Sequence, residues 1–103
     1  MASLIEEVVG VYRRGGEAVL VTLCSTKGST PRKAGAKMLV YPSGKIKGTI
    51  GGGELEFEAT KKALEVMKTK KSMLWEKRLI DLGMACGGAG TLYLEHIGGE
   101  KQL

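Results

Sequence analysis

The stretch EAVLVTLCS, residues 17–25, most narrows the folds open to this chain. It is almost unbroken in apolar residues and of strand length, and such runs belong to strands buried on both faces. The neighbouring patterns supply what could cover it. SLIEEVVGVYRR predicts a helix: Ser3 is placed as N-cap, and Glu6 three residues on completes a capping box. Leu4, Val8, Val11 and Tyr12 recur at helical spacing, and Gly15 and Gly16 stop the helix. AKMLVY and KIKGTI flank PSG, a hairpin signal with Pro42 and Gly44 in the turn. GGGELEFEATKKALEVMKTKKS passes from three glycines into a second helix, with Leu55, Ala59, Ala63, Leu64 and Met67 on one side. LWEKRLIDL and GTLYLEHI read as two further strands. The expected fold is α+β, a mainly antiparallel sheet with two helices packed on it, in a single small domain spanning residues 1–103.

Composition sharpens the function classes. The 103 residues are 43% hydrophobic but contain one Trp and one Phe, so the core is aliphatic. A net charge of +5 favours anionic partners, phosphate-bearing cofactors among them. Aromatics at 5% and the lack of an RRM-like stacking motif argue against nucleic acid. Two cysteines make no disulfide scaffold, and the N-terminus has no signal-peptide or membrane-spanning run. The expectation is a soluble, cytoplasmic protein away from membranes. One histidine and two distant cysteines supply no zinc site, and His96 reads as an ordinary histidine with no partner at hand. Cys24, within the apolar run, reads as a small buried hydrophobe.

Ten of the sixteen glycines gather in three stretches that carry the chemistry. TKGSTPRKAGAKM combines the hydroxyls of Ser29 and Thr30, the cations Lys27, Arg32, Lys33 and Lys37, and backbone freed at Gly28 and Gly35. Anion binding wants those ingredients together. The order is not that of a Walker A loop, and a solvated basic loop has the same composition. GTIGGGELE brings Gly51, Gly52 and Gly53 to a helix start, where backbone N–H groups can hold an anion. There Glu54 and Glu56 either complement the helix dipole or accept from a ligand N–H. GMACGGAGTLYLE sets Cys86 before Gly87 and Gly88: a turn between strands, or a thiol cleared for reaction or soft-metal ligation.

Taken in order, TKGSTPRKAGAKMLV, GTIGGGELE and ACGGAGTLYLE resemble the N-terminal domain of the XdhC/CoxI family, over about Val19 to Glu95. The resemblance implies an accessory protein, a chaperone and not a turnover catalyst. It would bind the molybdenum cofactor, molybdopterin or its dinucleotide form. It would assist the cofactor's sulfuration and its insertion into a xanthine dehydrogenase-type molybdenum hydroxylase. In that role Gly28, Ser29, Thr30, Arg32 and Lys37, with Gly51, Gly52 and Gly53, would hold phosphate. Glu54 or Glu56 would accept from pterin N–H groups, and Cys86, beside Gly87 and Gly88, would contact molybdenum or handle sulfur. The implied partners are the target hydroxylase, a cysteine desulfurase, and a second copy or a separate chain carrying the Rossmann-like half that longer members possess. Two rivals stand beside this reading: a docking protein that binds no small molecule, and a sulfur-transfer enzyme with Cys86 as its catalytic thiol.

Overall fold

The computed structural model describes residues 3–27, 34–78 and 89–99. Its elements are α1 (Leu4–Arg13), β1 (Glu17–Lys27), β2 (Lys37–Val40), β3 (Ile46–Gly48), α2 (Gly53–Thr69), β4 (Met73–Arg78) and β5 (Ala89–Gly98). The five strands form one sheet in the order β3-β2-β1-β5-β4, with every pairing antiparallel. This is the α+β fold the patterning predicts.

β1 occupies the centre because both its faces are apolar. Val19, Val21 and Leu23 pack against α2 with Met38, Val40, Leu92, Leu94, Leu55, Ala59, Ala63 and Val66. Ala18 and Leu20 face the other way and join Val11 and Leu39 beneath α1. The helices therefore cover opposite faces of the sheet, as a strand without a polar face requires. Small residues at Ala59 and Ala63 bring α2 close to the strands, and both are fully buried.

The capping box at α1 forms as expected. Glu6 N donates to Ser3 Oγ at 3.2 Å, and Ser3 N donates to Glu6 Oε1 at 2.9 Å. Tyr12 departs from expectation: it is 53% exposed, while Leu4, Val8 and Val11 face the core. A ten-residue helix over a twisted sheet seats a narrower stripe than the apolar spacing marks.

Cys24 is also corrected, from buried to exposed. The β1–β5 register shifts between Leu23 and Ser25, so Cys24 is the extra residue of a β-bulge. A bulge breaks the in-out alternation and turns its residue off the core. His96 is not without a partner either. It is only 11% exposed at the side chain, and its Nε2 lies 2.6 Å from Glu17 Oε2, which also receives Lys70 Nζ at 2.5 Å. Among the described residues, no helix is long and apolar enough to cross a membrane.

Candidate functional site

The register decides which strand ends flank the glycine-rich stretches. β1 runs toward Lys27, and β5 returns from Ala89, the partner of Lys27. Arg78, the last residue of β4, pairs with Ala89 from the other side. Segments 28–33 and 79–88 are therefore both bracketed by residues at one end of the sheet. β2 starts at that same end with Lys37, and β3 climbs back to finish at Gly48, opposite Met38. The glycine turn before α2 begins there. Three stretches far apart in sequence thus start or finish at one sheet end, while the β2–β3 hairpin lies at the other.

The glycine turn has geometry that side chains forbid. Gly51, Gly52 and Gly53 take φ of 130°, 78° and 65° in succession. Gly52, the N-cap of α2, combines φ 78° with ψ −174°, a region essentially reserved for glycine. A Cβ on Gly52 or Gly53 would meet nothing within 4 Å, so the backbone angles, not crowding, exclude larger residues. Gly48 differs, because its Cβ would stand 2.7 Å from the Lys37 carbonyl oxygen. Glycine there lets β3 close on β2.

Glu56 holds the turn from inside. Its Oε2 accepts from Thr49 Oγ1 at 2.5 Å, Gly52 N at 2.9 Å and Ile50 N at 3.2 Å. Gly51 N in turn donates to Thr49 Oγ1 at 2.8 Å. Partial burial alone would raise the carboxyl's pKa. The hydrogen bonds from Thr49 and from the Gly52, Ile50 and Gly51 amides outweigh it and hold the pKa below its ordinary value. The contacts from Thr49, Ile50 and Gly52 all use Oε2. Glu56 also borders an open cleft of about 430 Å³, together with Gly44, Ile46, Gly53, Phe57 and Thr60.

Of the residues singled out in the sequence, Gly51, Gly52, Gly53 and Glu56 come together here. Glu54 is exposed and takes no part in these contacts, with no hydrogen bond or ion pair among the described residues. Lys37 is half-buried, and its Nζ turns back to the Gly35 carbonyl at 3.4 Å. Its neighbour Met38 faces α2, so alternation directs Lys37 to the opposite face of the sheet from Glu56. Gly28, Ser29, Thr30, Arg32, Cys86, Gly87 and Gly88 lie outside the described residues.

Two residues that sequence reasoning passed over belong to the site. Thr49 is the hydroxyl that links the turn to Glu56, signalled only by its place before the three glycines. Phe57 lines the cleft with 58% of its surface exposed, and Lys61 Nζ stands 5.3 Å from the ring centre. A lone exposed aromatic beside an acidic first turn was its one signal. Among the described residues no three His, Cys, Asp or Glu side chains gather to hold a metal ion.

These features define a small α+β domain in which the glycine turn before α2 and the strand residues Lys27, Arg78 and Ala89 share one end of an antiparallel sheet. The XdhC and CoxI family model matches residues 11–78, and the chain belongs to that family. The Escherichia coli (strain K12) molybdenum cofactor insertion chaperone PaoD is 32% identical over 107 aligned positions, covering 98% of this chain and 33% of PaoD. A probable xanthine dehydrogenase subunit from Bacillus subtilis (strain 168) is 33% identical over 93 positions, covering 84% and 28% respectively. The uncharacterized protein YqeB of Escherichia coli (strain K12) is 33% identical over 89, covering 82% and 16%. A crystal structure described as a xanthine dehydrogenase from Bacillus halodurans superposes with a TM-score of 0.74 at 30% identity, over 90% of this chain and 29% of that one. The chain thus spans between 16% and 33% of the length of these curated relatives.

Proposed function

We propose that this chain is a maturation factor for a xanthine dehydrogenase-type molybdenum hydroxylase. In this reading it binds the molybdenum cofactor as cargo, assists sulfuration, and takes part in insertion into the target enzyme. The observation that supports it most is that the strand residues flanking two glycine-rich segments lie at the same sheet end as the glycine turn before α2, in a chain similar to a molybdenum cofactor insertion chaperone.

The geometry suits the polar half of such a cargo. α2 starts with no side-chain cap, so its first-turn amides face the turn. An anionic phosphate gains there from the helix dipole as well as the N–H groups. Glu56 is held by Thr49 and the turn amides at the edge of the cleft, where its carboxylate can also accept from a pterin N–H. Its lowered pKa keeps it ionised, the form that accepts. The basic loop with Gly28, Ser29, Thr30 and Arg32 adds donors from the neighbouring strand end. Cys86, flanked by Gly87 and Gly88, is assigned the contact with molybdenum, since a thiolate suits a soft metal.

The partners in this reading are the hydroxylase, a cysteine desulfurase as sulfur source, and a second copy that completes the pocket. The setting is the cytoplasm, where both thiols stay reduced. The test is anaerobic co-elution of the purified chain with molybdenum cofactor, beside a Cys86→Ala variant. Retention by the wild type that weakens in the variant supports both cargo and thiol. Equal retention keeps the cargo and returns Cys86 to a turn. No retention by either removes cofactor binding from this chain and leaves a docking role.

A further inference from the structure

At the sheet end opposite the glycine-rich segments lies a second concavity, on the α1 side of the β2–β3 hairpin. It measures about 420 Å³ and is lined by Arg14, Tyr41, Ser43, Lys45, Ile46 and Lys47. One carboxylate already sits against its wall. Glu7 Oε1 accepts from the Tyr41 hydroxyl at 2.8 Å, and Glu7 Oε2 from Lys47 Nζ at 3.4 Å. Lys47 is thereby matched. Arg14 attracts Glu7 only at longer range, as the weakest of the influences that lower the carboxyl's pKa. Neither Arg14 nor Lys45 forms an ion pair among the described residues.

Three details prepare these groups for an anion. Gly10 is an interior position of α1, where glycine is costly to a helix. A Cβ there would stand 3.3 Å from Arg14 Nη1, so the bare position makes room for the guanidinium to lie back along the helix. Second, the carbonyls at the end of α1 are capped. The amides of Arg14, Gly15 and Gly16 donate to the carbonyls of Gly10, Tyr12 and Val11, so these carbonyls do not call on the guanidinium of Arg14 for a partner. Third, Ser43 Oγ accepts from Lys45 N at 3.3 Å, which leaves its hydroxyl hydrogen to donate.

We propose that this concavity binds the phosphate group of a small phosphorylated ligand. The planar fork of Arg14 and the point charge of Lys45 take its oxygens, Ser43 donates a third bond, and the Tyr41 ring lines the space for the organic part. Two cations outside any ion pair fit a dianionic phosphate, whereas a single carboxylate would leave one of them uncompensated. The site shares no lining residue but Ile46 with the cleft at Glu56, and it stands apart from the cofactor reading.

The test is an NMR titration of the full chain with inorganic phosphate at low salt, with acetate at equal ionic strength as control. Saturable shifts of the Arg14, Ser43, Gly44 and Lys45 amides are expected. Affinity should fall roughly tenfold for each cation removed, about 1.4 kcal/mol apiece, in Arg14→Gln, Lys45→Gln and the double variant. These side chains are exposed, so the spectra of the variants should otherwise overlay the wild type. Lys61→Gln with Lys62→Gln should leave binding unchanged. The proposal is overturned if the shifts spread over every basic surface, centre on Gly51–Gly53, survive the double variant, or appear equally with acetate.

Discussion

Thr49 Oγ1 stands 2.5 Å from Glu56 Oε2, and this contact ties the end of β3 to the first turn of α2. The same oxygen satisfies the amides of Ile50 and Gly52. Removing the carboxylate leaves those donors without their acceptor, at about 1–3 kcal/mol for a buried unsatisfied group. Glu56→Ala should therefore lower stability by roughly that amount in urea unfolding. Glu56→Gln keeps an accepting oxygen and should lose clearly less. Equal losses would show that the turn does not depend on this acceptor.

Acid should loosen the fold in a definite direction. Glu17 and Glu56 both titrate below the ordinary carboxylate value of 4.5. For each, burial pushes upward and is outweighed: for Glu17 by hydrogen bonds from Lys70 and His96, for Glu56 by Thr49 and the turn amides. A depressed native pKa means that the unfolded chain binds the proton first. The stabilisation is complete above the unfolded value and is lost as pH falls through the native one. Unfolding free energy should thus be flat just above pH 5 and decline below about 4.5. Glu56→Gln should flatten part of that decline. A wild-type curve that stays level down to pH 3 would contradict the assignment.

The glycines separate two physical requirements. Gly44 and Gly48 have similar φ, 91° and 82°. A Cβ on Gly44 meets open space, but one on Gly48 meets the Lys37 carbonyl oxygen at 2.7 Å. Gly44→Ala should cost only the left-handed backbone penalty, about 1–2 kcal/mol. Gly48→Ala should cost more, with loss of the β2–β3 pairing visible in amide exchange at Met38 and Lys47. Similar melting temperatures for the two variants would rule out the close approach.

Two leucines at neighbouring sheet positions should behave oppositely. Leu94 is fully buried beneath α2, while Leu74 on edge strand β4 is 66% exposed. Leu94→Ala should destabilise by roughly 2–5 kcal/mol. Leu74→Ala should shift stability by no more than about 0.5 kcal/mol. Chemical denaturation of both variants checks the pair.

How much of this was legible in the sequence follows from the kind of signal each feature leaves. The two-sided burial of β1 shows as an unbroken apolar run, and two helices on a mainly antiparallel sheet were legible, but the central place of β1 and the opposite faces of the helices depend on strand order, which leaves no local signal. Ser3 and Glu6 fixed the start of α1 because a capping box is a local motif. Cys24 was misread because a bulge changes side-chain parity without changing hydropathy. His96 was read as solitary because its partner, Glu17, is 79 residues away in sequence and comes beside it only through the β1–β5 register. The glycine turn was visible from Gly51–Gly53, but not the anion it already holds, since Glu56 reaches back from within the helix to Thr49. Lys37 stood in the basic stretch by sequence, and the alternation of β2 sends it to the other face.

The most direct test of the account is hydrogen–deuterium exchange of the anaerobic wild-type chain with and without molybdenum cofactor. Slowed exchange is expected in the peptide spanning Gly48 to Glu56 and at the paired ends of β1 and β5, with α1 unchanged. Unaltered exchange at that sheet end with saturating cofactor present, or protection confined to the hairpin, would contradict it.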